Sequence, residues 1–112
     1  MDLSLEGRTA LVTGAGSGIG AAVARQLAAL GVRIAITARG LEPLQSLAAE
    51  IAASGAAAPL ILPGDLTDAA QLARIAAGAQ DALQRVDILV NAAGGSRPTS
   101  VDAADDVWEE AM

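Results

Sequence analysis

Residues Thr13 to Gly20 read Thr-Gly-Ala-Gly-Ser-Gly-Ile-Gly and follow the apolar run Thr9-Ala10-Leu11-Val12. A strand that runs into a glycine-rich turn and then opens into a helix restricts the fold sharply. The turn's backbone N–H groups and the helix N-terminus all face one point, which suits the pyrophosphate of a dinucleotide. Glycine inside regular structure costs backbone entropy, so glycines at 14, 16, 18 and 20 point to a ligand more than to packing. On this reading Gly14 permits the tight turn, Gly18 lets the backbone approach phosphate, and Gly20 lets the helix pack close to the strand. The loose G-x-G-x-x-A match at Gly16, Gly18 and Ala21 is weak alone; the strand before it and the helix after it give it weight.

The rest of the chain alternates strand and helix at short spacing. Strands are expected over 8–13, 32–37, 58–62 and 87–91. Between them, Ile19, Val23, Leu27 and Leu30 form one helical stripe, with Gly31 as its stop. Leu44, Leu47 and Ile51 form a second, with Pro43 in the first turn and Gly55 at the end. Leu72, Ile75, Ala79 and Leu83 form a third, capped by Thr67 or Asp68. A β-α-β-α-β-α-β order with strands rich in Ile, Leu and Val predicts a parallel sheet with helices on both faces. A last helix is expected from Ser100–Asp105, with Val107, Trp108, Ala111 and Met112 on one face. It ends without Gly, Pro or a basic cap, and Glu109 and Glu110 would sit unfavourably at its negative end. The expectation is a chain cut within a helix that continues, so that 1–112 is the N-terminal part of a single domain.

Composition narrows the function. The formal net charge is −6, and all seven basic residues are scattered arginines, which argues against nucleic acid or an anionic membrane as partner. There is no Cys and no His, so neither a disulfide nor a zinc site is expected. Residues 1–6 have no basic and apolar signal-peptide pattern, and no run of about 18 apolar residues is present, so a cytoplasmic location is expected. Apolar residues are 53% of the chain with Trp108 the only aromatic, so the core must be Ala, Leu, Ile and Val.

Three motifs at three strand ends are similar to those of the short-chain dehydrogenase/reductase family. They are Thr13-Gly14-x-x-x-Gly18-x-Gly20, Gly64-Asp65-Leu66-Thr67-Asp68 after the third strand, and Asn91-Ala92-Ala93-Gly94 after the fourth. The last resembles the family's Asn-Asn-Ala-Gly with one substitution. The resemblance covers the whole chain. It implies a Rossmann-type doubly wound parallel sheet of order 3-2-1-4, incomplete at this length. In such a sheet strands 1 and 4 meet at the switch point, where ligands bind. The resemblance also implies a cofactor-binding set of Gly14, Gly16, Ser17, Gly18, Ile19, Arg39, Asp65, Leu66, Asn91, Ala93 and Gly94. Within it Asp65 would meet the adenine amino group and Leu66 would pack on the ring. Residue by residue, simpler roles are open: Asp65 as a turn former, Asn91 as a strand-end bonding partner, Arg39 as a solvated loop residue.

In nicotinamide-binding folds an acidic residue about 20 positions past the glycine turn marks NAD by binding the ribose 2′-hydroxyl. Here that position is Ala38, followed by Arg39, whose planar fork suits a 2′-phosphate. NADP(H) is therefore favoured over NAD(H), although Ser17 stands where many NADP-preferring relatives carry Arg.

Family enzymes are about twice this length and use a Ser with a Tyr-x-x-x-Lys pair. Their implied chemistry is hydride transfer between the nicotinamide and a carbonyl or alcohol, with Tyr as acid/base tuned by Lys. This chain has no Tyr and no Lys, so none of its residues is assigned a catalytic role, and Ser96 is read as a loop residue. The leading expectation is the NADP(H)-binding half of such an enzyme, whose complete form would be a homo-oligomer, tetramer or dimer, acting on a small carbonyl or alcohol. The alternatives are a non-catalytic NADP(H)-binding or partner-binding module, and a different Rossmann class such as a methyltransferase or flavin domain.

Overall fold

A computed structural model describes residues 5–92. The elements follow in the order β1 (Thr9–Thr13), α1 (Gly18–Ala29), β2 (Arg33–Thr37), α2 (Leu41–Ala53), β3 (Leu60–Ile61), α3 (Ala69–Leu83) and β4 (Ile88–Asn91). The four strands are parallel and lie in the order β3-β2-β1-β4. This is the expected sheet. The predicted final helix lies outside the described residues.

Alternation along the strands divides the core. Ala10, Val12, Ile34 and Ile36 point to one face, where they meet Ala21, Ala24 and Ala28 of α1 and Leu44, Leu47, Ala48 and Ile51 of α2. Leu11 and Ala35 point to the other face, against Ala79 and Leu83 of α3. The second and third helical stripes thus pack as their periodicity predicts, apart from Leu72, which is only partly buried, with Ala76 added.

The first helical stripe is a correction. Periodicity marks Ile19, Val23, Leu27 and Leu30, but α1 buries Gly20, Ala21, Ala24 and Ala28. Ile19 is 76% and Leu30 55% exposed. The cause is distance. A Cβ on Gly20 would stand 2.2 Å from the Gly14 carbonyl oxygen, so α1 starts in near contact with the end of β1. At that approach only the small-residue face fits against the sheet.

A second correction concerns β3, two residues long where five are expected. Pro59 and Pro63 bracket it, and neither has an N–H for a ladder. Contact with β2 nevertheless continues, through Leu62 N to Ile36 O at 2.9 Å and Gly64 N to Ala38 O at 2.9 Å. Those bonds hold the chain after β3 beside the chain after β2.

Candidate nucleotide site

Register brings the carboxyl ends of three strands level. Thr13 is paired with Thr37 on one side and with Asn91 on the other. Thr13 Oγ1 lies 2.8 Å from Asn91 Oδ1 and accepts from Ala92 N at 3.2 Å, which orients the Asn91 amide. Asn91 is thus tied through its side chain to the end of the neighbouring strand β1.

Past Thr13 the chain turns through Gly14 at φ +63° and enters α1 through Gly18 at φ +60°, a left-handed region that costs glycine nothing. Ala15 N donates to Thr37 O at 3.1 Å and ties the turn to β2. Ser17, the N-cap of α1, makes no side-chain cap bond, and the first turn holds no acidic residue. The orphan N–H groups of that turn are thus left for an anion. By contrast α3 is closed by Asp68, whose Oδ1 accepts from Ala70 N at 2.9 Å and Gln71 N at 3.1 Å.

Between the glycine turn and the ends of β2 and β3 lies a cleft of about 460 Å³, lined by Gly14, Gly16, Ser17, Ala38, Arg39, Gly64, Asp65, Leu66 and Thr67. That volume is ordinary for a small-molecule site, which typically spans about 300–1,000 Å³. Six of the expected residues meet there: Gly14, Gly16, Ser17, Arg39, Asp65 and Leu66. Gly18 and exposed Ile19 sit beside the cleft in the first turn of α1, and Asn91 lies on the β4 side. Ala93 and Gly94 are outside the described residues. Ala38, Gly64 and Thr67 line the cleft without having been marked as binding residues, although each adjoins a marked one or lies in a quoted motif.

Two charges face each other at the rim. Arg39 Nε is 3.8 Å from Asp65 Oδ1, with the arginine side chain 78% exposed. Asp65 Oδ1 also accepts from Thr67 Oγ1 at 2.7 Å and Thr67 N at 2.9 Å. The Thr67 hydroxyl and amide, with a smaller contribution from Arg39, hold the Asp65 carboxyl below its ordinary value against a modest desolvation.

The donor set fits a dinucleotide. A Cβ on Gly18 would meet open space, so glycine there is needed for backbone conformation and leaves the approach to the helix start clear. Among the described residues there is no cluster of three metal-ligating side chains. Among them, too, no helix is long and apolar enough to cross a membrane.

Comparison with known proteins agrees with this geometry. The family model of the short chain dehydrogenases matches residues 8–112, and the chain belongs to that family. It is 39% identical over 106 residues to 2,3-dihydro-2,3-dihydroxybenzoate dehydrogenase of Bacillus subtilis, covering 94% of this chain and 40% of that enzyme. A metagenomic short-chain oxidoreductase solved in complex with NADP superposes with a TM-score of 0.81 at 36% identity, covering 97% of this chain and 56% of that one. A short chain dehydrogenase/reductase from Burkholderia phymatum solved in complex with NAD gives 0.72 at 30% identity, covering 79% and 31%. The chain thus spans about two-fifths of the length of the Bacillus subtilis relative.

Proposed function

We propose that this chain is the NADP(H)-binding half of a short-chain dehydrogenase/reductase, and that the complete protein moves a hydride between the nicotinamide and a carbonyl or alcohol. The observation that carries the reading is the cleft itself. It runs from the uncapped start of α1, which suits a pyrophosphate, to the ends of β2 and β3, which suit an adenosine. Arg39 directly follows Ala38, which takes the place of the NAD-type acid, and its guanidinium is open to solvent. A 2′-phosphate there would gain charge-assisted bonds to Arg39.

Within the chain, the turn Gly14–Gly18 and the first turn of α1 would bind phosphate, Arg39 would select the ribose 2′ group, and Asp65 and Leu66 would border the base. Asn91, with Ala93 and Gly94, would border the other end of the dinucleotide. When bound, the nicotinamide would give or take the hydride. By family resemblance the proton would belong to a Tyr-Lys pair, and residues 1–112 contain neither residue. We place the complete protein in the cytoplasm as a homo-oligomer.

Arg39→Ala is the test. NADPH affinity should fall about tenfold to a hundredfold, the range expected for bonds to a charged group, while NADH affinity holds. An unchanged NADPH-to-NADH affinity ratio would remove the NADP preference. A second reading is a nucleotide-binding module without catalysis. Tight NADPH binding with no carbonyl reduction by the natural full-length product would favour it.

A further inference from the structure

One wall of the cleft is built from outside it. The turn Pro63–Thr67 has no strand on its far side among the described residues, and it is held instead by two side chains from α3. Gln71 Oε1 accepts from Asp65 N at 2.7 Å, and Arg74 Nη2 donates to Pro63 O at 2.9 Å. The spacing is close enough that a side chain at the turn's centre would push the tips of these α3 side chains aside. A Cβ on Gly64 would lie 2.8 Å from Ile75 Cδ1, 3.0 Å from Arg74 Nη2 and 3.1 Å from Gln71 Oε1. Asp68 N closes the turn onto Asp65 O at 3.2 Å. Gln71 is the third residue of α3, where a Gln after an Asp cap usually turns back to the cap's own amide. Here that amide is used by Asp65 O, and the glutamine reaches past it to Asp65 N.

We infer that Gln71 and Arg74 are positioning residues that preset the Asp65–Leu66 wall for the base-carrying end of a nucleotide. Neither residue lines the cleft itself. Gln71 fixes the backbone from which the Asp65 carboxylate and the Leu66 side chain project, and Arg74 fixes the entry to that turn. The ligand class follows from place: the phosphates belong at the α1 start in the middle of the sheet, the 2′-ribose at the end of β2, and the base one strand further out, beside β3. The inference rests on the nucleotide reading of the cleft.

The experiment measures binding of adenosine 2′,5′-bisphosphate and of inorganic pyrophosphate to the full chain by calorimetry. It compares the unaltered protein with Gln71→Met, Gln71→Glu and Arg74→Met. Loss of one backbone-fixing bond should weaken adenosine 2′,5′-bisphosphate about tenfold in Gln71→Met and in Arg74→Met, and leave pyrophosphate within about twofold. Gln71→Glu keeps an acceptor for Asp65 N and should restore affinity to within about threefold. A helix that merely lost stability would weaken both ligands together. Equal adenosine 2′,5′-bisphosphate affinity in all variants overturns the positioning role and leaves the cleft's function standing. If Gln71→Met does not fold, Arg74→Met decides by the same criterion. If the unaltered chain binds pyrophosphate but no adenosine 2′,5′-bisphosphate, the nucleotide reading falls and the inference with it.

Discussion

Thr9 and Asp87 bond reciprocally at the end of the sheet opposite the cleft. Thr9 N donates to Asp87 Oδ2 at 3.0 Å, and Asp87 N donates to Thr9 O at 3.1 Å. Thr9 Oγ1 adds a 2.6 Å bond to Arg85 O, and Arg85 Nε lies 3.1 Å from Asp87 Oδ1. β1 and β4 are therefore pinned at their starts, 78 residues apart in sequence, which fixes the register that brings Thr13 and Asn91 together at the site. Thr9 is 3% exposed, so its hydroxyl bond is protected, and Thr9→Val should lower stability on the order of 1 kcal/mol in urea melts.

The same pin sets an acid response. The Thr9 amide, more than Arg85, holds the Asp87 carboxyl below its ordinary value, and Thr67 does the same for Asp65. A carboxyl whose folded pKa is depressed stabilises the fold above its unfolded pKa of about 3.9 and loses that contribution as pH falls through the folded pKa. Below about pH 4 the unfolded chain binds more protons, so urea midpoints should drop as acid is added. Asp87→Asn should flatten that slope. A slope equal to that of the unaltered protein would show that the Thr9 bonds do not perturb Asp87.

Gly18 and Gly20 should separate binding from folding. An Ala Cβ at 20 would collide with the Gly14 backbone, which cannot swing aside, so Gly20→Ala should cost about 3 kcal/mol or more, or prevent folding. At 18 the space is open and only the positive φ resists, so Gly18→Ala should cost about 1 kcal/mol while a Cβ is added beside the phosphate approach. Gly18→Ala should therefore fold and bind NADPH more weakly. Equal melting temperatures for the two variants would contradict the close packing of α1 on β1.

Among the described residues β4 has a paired strand on one side only, and Ile88, Leu89 and Val90 are half-buried. An apolar edge of this kind recruits other chains. The 112-residue chain by itself should self-associate, and Leu89→Lys should reduce this in sedimentation runs. A monodisperse, cooperatively melting monomer would count against the prediction.

The alternation of strands and helices was legible because each element carries its own signal: glycine stops at 31 and 55, apolar strands, and a cap at Asp68. The place of the glycine turn and of Arg39 at the cleft was legible for a related reason, since the carboxyl ends of β1 and β2 follow from local spacing. The buried face of α1 was not, because periodicity favours the largest apolar residues, while the near contact between Gly20 and Gly14 admits only the smallest. Nor was the short β3, where Pro59 and Pro63 limit the ladder that its apolar residues suggest. The brace from Gln71 and Arg74 joins residues 6 and 11 positions apart across a turn, and sequence hints at it only through the Asp68-x-x-Gln71 spacing.

Everything proposed for this chain depends on the cleft holding a nicotinamide dinucleotide. The most direct measurement is an amide NMR titration of the chain with NADPH. Saturable shifts are expected at Gly14–Ile19, Arg39 and Gly64–Thr67, with Thr9 and Asp87 unmoved. Absence of shifts at saturating NADPH, or shifts clustered away from the glycine turn, would contradict it.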